Sequence, residues 1–185
     1  MVFTGCQWRF LPPDFPKRQT VYDYFGKWQE DGIRRRIHEA LRSDLRRKKG
    51  RHKHPTAGSI DSQSVKTTAV PSARGFDAGK PINGRKRHIS VDTLGLILVV
   101  AAAVASVQDG AGAKMLCRRV SGSCKKLRRI RVDGGYRGEL LDRVKKRFRF
   151  CLEVILRWDK QNGFVILPKR WIVERTFARL LNHRR

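Results

Sequence analysis

Between Thr20 and Trp28 the apolar residues Val21, Tyr24, Phe25 and Trp28 recur at i, i+3, i+4 and i+7, the spacing of one helix face. Thr20 and Asp23 stand at capping-box spacing at its start. A second helix is predicted from about Asp31 to Lys49. Ile33, Ile37, Ala40, Leu41 and Leu45 form its inner face, Arg34, Arg35, Arg42 and Arg46 stay outside, and Gly50 is placed to stop it. Pro12, Pro13 and Pro16 mark a loop before these helices, and RRKKGRHKH, residues 46–54, reads as a basic linker. Beyond it the period changes from helical to mostly that of strands. AGSIDSQSV, KRHISVDTLG and LILVVAAAVASV read as strands, with Gly95 supplying the turn between the last two and FDAGKPING forming a flexible loop. DGAGAKMLCRRV then reads as a helix, KKLRRIRVDGG as a strand, and RGELLDRVKKRF as a helix with Leu140, Leu141 and Val144 on one face. FCLEVIL reads as a strand, and from Arg170 onward Trp171, Val173, Phe177, Leu180 and Leu181 return to helical spacing. Three strands, then helix, strand, helix, strand and helix predict an α/β (α+β) fold with a mixed sheet and helices packed on it. The predicted division is a helical segment over residues 1–55, linker included, and a sheet domain over residues 56–185.

Composition adds a partner to this picture. The 185 residues include 42 Lys and Arg against 16 Asp and Glu, a formal net charge of +26. Such an excess repels itself unless a polyanion is close, and Lys and Arg that neutralise phosphates release condensed counterions, so nucleic acid is the leading partner. An acidic membrane is the competing reading, but the basic residues are spread over almost the whole length. The longest apolar run, Leu94 to Val107, is broken by Gly95 and Ser106 and is too short to span a bilayer. Residues 1–13 lack the apolar core of a signal peptide, so the expected location is the cytoplasm, in association with the nucleoid. Cys6, Cys117, Cys124 and Cys151 have neither zinc-site spacing nor a disulfide framework, which predicts reduced structural thiols.

Several chemistries are poorly served. Ser62 and Ser64 have no nucleophile elbow, His88 has no cysteine at zinc-site spacing, and the glycines of FDAGKPING do not follow the order of a phosphate loop. Carboxylates are informative because they are few. Asp61 lies in SIDSQSV, Asp133 closes the strand of IRVDGGY, and Glu174 sits in RWIVERTF. Singly, Asp61 could satisfy a turn, Asp133 could cap the following helix, and Glu174 could pair with Arg170 one turn back. Together, on adjacent strands and a helix packed across them, they would form a site whose charge a hard divalent ion compensates. Two ions held by carboxylates suit in-line displacement at phosphorus.

The strings GCQWRFLPPDFPKRQTVYDYFGKWQEDG, IDSQSVKTT, GRKRHISVDTLGLILVV, VDGGYRGEL and LPKRWIVERTFARL together resemble a bacterial transposase of the insertion-sequence-5 group, within the DDE superfamily. The resemblance covers nearly the whole chain in order. It implies a ribonuclease-H-like catalytic domain, a helical DNA-binding segment before it, cleavage at the ends of a mobile element, and strand transfer into target DNA. It also implies Mg²⁺ as cofactor, with Mn²⁺ as a substitute and two ions in the site. Carried over residue by residue, the triad falls on Asp61, Asp133 and Glu174. Lys66, Arg87 and Arg137 are candidates for contacts near the scissile phosphate, and Arg170 for DNA beside Glu174. The implied partners are double-stranded DNA, both terminal inverted repeats and target, and a second copy of the chain in a homodimer or larger complex.

Two departures qualify the resemblance. Members of the group have a longer segment before the GCQWR string and continue past the equivalent of Arg185 into a further basic helix, so the expectation is a chain truncated at both ends. In the pattern Y-x2-R-x3-E-x6-K, Arg170 and Glu174 match, whereas Leu167 and Leu181 stand in place of the tyrosine and lysine. Two alternatives follow: a catalytically silent DNA-binding fragment acting as an inhibitor or decayed remnant, and a junction- or RNA-cutting nuclease on the same fold.

Overall fold

The computed structural model describes residues 7–67, 73–136, 139–155 and 171–182. Contacts divide the chain into two compact units, one of residues 1–53 with 178–185 and one of residues 54–177.

The first unit is helical. A single 3-10 turn, Trp8–Phe10, precedes α1 (Arg18–Glu30) and α2 (Ile33–Lys48). Trp8 stands edge-on to Tyr22 and Phe25, with ring centroids 5.3 Å apart in both pairs, and the Arg34 guanidinium lies 4.2 Å from the Phe25 centroid. Gly32, at φ 68°, takes the left-handed conformation that turns α1 into α2. Gly50, at φ 65°, closes α2 as its sequence position suggests. The face assignment of α2 is a correction. Arg42 and Arg46 are buried, whereas Ile37, Leu41 and Leu45 are 48%, 59% and 48% exposed. An arginine can sink its methylene stem while its head finds an acceptor, and Arg46 Nε donates to the His52 carbonyl at 2.7 Å. No residue of α1 is buried.

The second unit carries a six-stranded mixed sheet. Its elements are β1 (Ala57–Lys66), β2 (Gly75–Asp77), β3 (Ile82–Asp92), β4 (Ile97–Val104), α3 (Asp109–Ser123), β5 (Arg129–Val132), α4 (Glu139–Arg147), β6 (Cys151–Val154) and α5 (Trp171–Leu181). β3 lies antiparallel between β1 and β4, while β5 runs parallel to β1 and β6 parallel to β5. This is an α/β arrangement with a mixed sheet, as the order of predicted elements implies. The predicted elements are all found, and a short edge strand, β2, stands where a flexible loop was expected. Its register, Gly75 opposite Gly84 and Asp77 opposite Ile82, extends the edge beyond β4. Period-2 alternation sends Ile60, Ile130 and Val132 into one core with Ala113, Leu116, Cys117 and Val120 of α3 and Leu140 and Val144 of α4. Burial pushes the Cys117 thiol up to about 12, so it packs there as a neutral side chain.

Candidate functional site

β1 and β5 are central neighbours, and their register decides what they can present together. Ser59 pairs with Arg131, and continuing two residues along parallel strands sets Asp61 level with Asp133. Strands in a sheet lie about 4.8 Å apart, and successive side chains alternate faces. Both aspartates therefore fall on the face opposite Ile60, Ile130 and Val132. Each carboxylate is also held locally. Asp61 Oδ1 accepts from the Ser62 amide at 2.7 Å, and Asp133 Oδ1 accepts from the Gly135 amide at 2.9 Å. The second bond makes Asp133 the cap of the DGGY turn, six positions before Glu139, where α4 begins. Arg131, on the same face, lies 3.5 Å from Glu153 of β6.

Glu174 is exposed in the first turn of α5. The helix is anchored on the β3–β4 turn: Arg175 Nη2 donates to the Leu94 carbonyl at 3.2 Å, and the Thr176 hydroxyl, shared with Ile172, donates to the Gly95 carbonyl at 3.1 Å. Gly95 has φ 84°, and a Cβ there would press on Thr176, Arg175 and Ile172. The turn is pinned in its own right by buried Asp92, whose Oδ1 accepts from the Leu94 and Leu96 amides, both at 2.9 Å. Asp92 pairs with Gly58, three residues before Asp61, or about 10 Å along the strand. Among the described residues no three His, Cys, Asp or Glu side chains gather closely enough to hold a metal ion. The acids stand as a level pair with a third on a separately anchored helix.

Arg87 is half-buried and pairs with Gln63, so it shares the face of Asp61. Lys66, at the exposed end of β1, falls on the other face. Arg137 and Arg170 lie outside the described residues.

Beneath the pair, on the opposite face of the sheet, lies a buried polar cluster that sequence reading did not single out. Lys86 Nζ sits 3.2 Å from Asp77 Oδ2 and 3.4 Å from Asp109 Oδ1. The Ser62 hydroxyl donates to that same Asp109 oxygen at 2.6 Å, and the Ser64 hydroxyl donates to that same Asp77 oxygen. The Ser64 hydrogen bond first, then Lys86 and the Gly79 amide, hold Asp77 below the usual carboxylate range against the opposing effect of burial. His88 is fully buried under α3, where a Cβ on Gly112 would lie 2.1 Å from its ring. Burial first, with Lys86 adding to it, lowers the His88 pKa and keeps the imidazole neutral, against a pull from Asp109. Tyr136 is buried. Burial first, then the charges of Asp109, Asp61 and Asp133, push the phenol above its ordinary range. With oxygen donors of this kind, the Asp61 and Asp133 pair fits a hard divalent ion. The strand KRHISV carried a signal of this cluster, since its alternation sets Lys86, His88 and Ser90 together on one face.

Residues 52–185 match the family described as "Transposase DDE domain". The chain belongs to that family. Residues 1–38 match a second family, described as "Putative transposase of IS4/5 family". None of the curated proteins matches the sequence. Among solved structures the fold is similar to a simian T-cell lymphotropic virus intasome in complex with PP2A regulatory subunit B56 gamma, at TM-score 0.46 and 13% identity. That match covers 68% of this chain and 38% of the other. It is also similar to a piggyBac transposase synaptic complex with hairpin DNA, at TM-score 0.42 and 19% identity, covering 58% of this chain and 24% of the other. The chain thus spans well under two thirds of the length of either. Divalent metal chemistry is general to the family. Among the described residues no helix is long and apolar enough to cross a membrane.

Proposed function

We propose that this chain acts as an insertion-sequence transposase, cleaving DNA at element ends and transferring the strand into target DNA with Mg²⁺ or Mn²⁺. Asp61 and Asp133 form the metal-holding pair, and Glu174 completes the triad. The observation that carries the reading is the parallel pairing of β1 and β5, with Ser59 beside Arg131, because each strand reaches an aspartate two residues further on. A bound divalent ion would supply Lewis acidity at phosphorus and offset developing charge. The Ser62 and Gly135 amides orient one oxygen of each aspartate. The Gly134–Gly135 turn keeps side chains away from the approaching backbone of the substrate. Arg87, on the same face, is placed to meet a phosphate near the acids, and Lys66, Arg137 and Arg170 are further contact candidates. The net charge of +26 draws the duplex in, with an affinity that falls steeply as salt rises. The active complex is a dimer or larger on this reading, and residues 1–55 serve as the DNA-binding segment.

The test is Asp133→Asn in a cleavage assay on a duplex carrying the inverted repeat that flanks the coding sequence. The expected result is loss of Mg²⁺- and Mn²⁺-dependent product with a gel shift like that of wild type; retained cleavage overturns the assignment. A second reading, DNA binding without cleavage, is favoured by the separate anchoring of Glu174 on the β3–β4 turn. On that reading wild-type protein shifts DNA and gives no metal-dependent product.

A further inference from the structure

The Asp61 carboxylate is tied to the buried cluster through a single residue. Ser62 donates its amide to Asp61 Oδ1 at 2.7 Å, and the hydroxyl of the same residue donates to Asp109 Oδ1 at 2.6 Å. Asp109, the first residue of α3, is in turn 3.4 Å from Lys86 Nζ, and Lys86 is 3.2 Å from Asp77 at the end of β2. Asp77 accepts from Ser64, the next β1 residue on that face. The cluster therefore grips β1 at two alternate positions from below, one of them adjacent to the acid that faces the other way.

Stability alone does not call for this arrangement. Desolvating the Lys86 ammonium and the Asp77 carboxylate costs several kcal/mol per ion before pairing offsets it, and a well-packed apolar cluster of the same volume serves a fold as well or better. A fully partnered network does fix one geometry, because each member has a single satisfied arrangement. Lys86 and Asp77 are 6% and 9% exposed, so water does not readily replace the partners they hold, whereas the Asp109 side chain, 39% exposed, is held at the rim of the cluster by Lys86 and Ser62.

We propose that Lys86, Asp109 and Ser62 are positioning residues that act through one another on Asp61, with Asp77 and Ser64 as the second grip on the same strand. They touch neither DNA nor metal. Lys86 fixes the Asp109 carboxylate, Asp109 fixes the Ser62 side chain, and Ser62 presents its amide to Asp61. The orientation of the metal-holding oxygen is thereby set from the far side of the sheet, by β2, β3 and α3 together. The inference rests on the metal-binding reading of Asp61 and Asp133.

The experiment measures Mn²⁺ binding by the purified full chain, from the loss of the free-ion electron paramagnetic resonance signal. The Ser62→Ala/Ser64→Ala double variant removes both grips while leaving the Lys86 ion pairs intact, so the buried charges stay compensated and the chain folds. Lys86→Met is the harsher companion, and circular dichroism melting is run on both. Outer-shell partners of metal ligands typically contribute about 10–100-fold in affinity. We expect the double variant to bind Mn²⁺ at least about tenfold more weakly, with its gel shift of duplex DNA unchanged. A double variant that melts earlier but binds Mn²⁺ like wild type makes the cluster purely structural and overturns the inference alone. Absence of saturable Mn²⁺ binding in wild type overturns the metal reading of the pair, and the inference with it.

Discussion

The helical unit and the sheet unit use charge in opposite ways. In α1 and α2 the large apolar side chains of Tyr24, Trp28, Ile37, Leu41 and Leu45 are exposed, while Arg42 and Arg46 are buried. In the sheet unit Ile60, Ile130 and Val132 of the strands and Leu116, Val120, Leu140 and Val144 of the helices point inward, although Phe76, Val100 and Trp171 stay exposed, and the buried charges of Lys86 and Asp77 answer one another. A helix presents its apolar stripe to whatever lies beside it, so its sequence alone does not say which stripe is covered. A strand has only two faces, and pairing with a neighbour in register settles both at once. Positions that must be held to fractions of an ångström, such as paired aspartates, are better placed on the second kind of element.

The sharpest way to break the comparison is the same substitution in the two units. Gly112 lies inside α3 and Gly26 inside α1. A Cβ on Gly112 would stand 2.1 Å from the His88 ring, whereas one on Gly26 has no atom within 4 Å. Gly112→Ala should destabilise by about 3 kcal/mol, the upper end of overpacking costs. Gly26→Ala should stabilise by up to about 1 kcal/mol, from helix propensity alone. Thermal or urea melting of both variants reads the difference, and equal signs would mean that α3 does not lean on β3 as described.

Next in size is Asp92→Ala. It strips the Leu94 and Leu96 amides of their acceptor, at a cost of about 2 kcal/mol for part-buried donors. Because α5 is seated on that turn, the variant should also lose cleavage more than it loses DNA binding. Unchanged cleavage in a variant that melts early would show that the seat of α5 does not govern Glu174.

The limits of the sequence follow the same division. Strand alternation and the glycines at positions 50 and 95 gave the element order, and SIDSQSV and IRVDGGY already placed Asp61 and Asp133 on strands. What escaped was whatever depends on contact between distant segments. β2 is three residues long, too short for a period to be visible. The partners of Lys86 come from β2 and from the start of α3, and only the register of β1 with β3 brings Ser62 and Ser64 under them. Asp109 looked like an ordinary first-turn acid. The burial of Arg42 and Arg46 escaped for the complementary reason, since a helical wheel ranks side chains by polarity and ignores the length of an arginine stem.

A smaller effect comes from His88. Burial lowers its pKa in the fold, while the unfolded chain titrates near 6.5. Below that pH the unfolded state binds more protons, so stability is lost as pH falls from about 6.5 toward the folded value, by up to about 1.4 kcal/mol per unit. His88→Gln removes the titration, so in urea unfolding the stability of wild type relative to the variant should fall between pH 7 and pH 5. A constant difference would mean that the imidazole takes up its proton as readily in the fold as in the unfolded chain.

The smallest expected effect tests the other side of the comparison. Leu41 and Leu45 lie on α2, one turn apart, and are 59% and 48% exposed. If that stripe faces water, Leu41→Gln/Leu45→Gln removes little buried area, and surface changes of this kind stay within about 0.5 kcal/mol each. A loss of several kcal/mol would mean that the stripe is covered in solution and that the first unit buries apolar surface much as the sheet unit does. The contrast between them would then come from what each is packed against and not from how each uses charge. The same melting series, run at two protein concentrations, reads whether the cover is another copy of the chain, because only then does the midpoint rise with concentration.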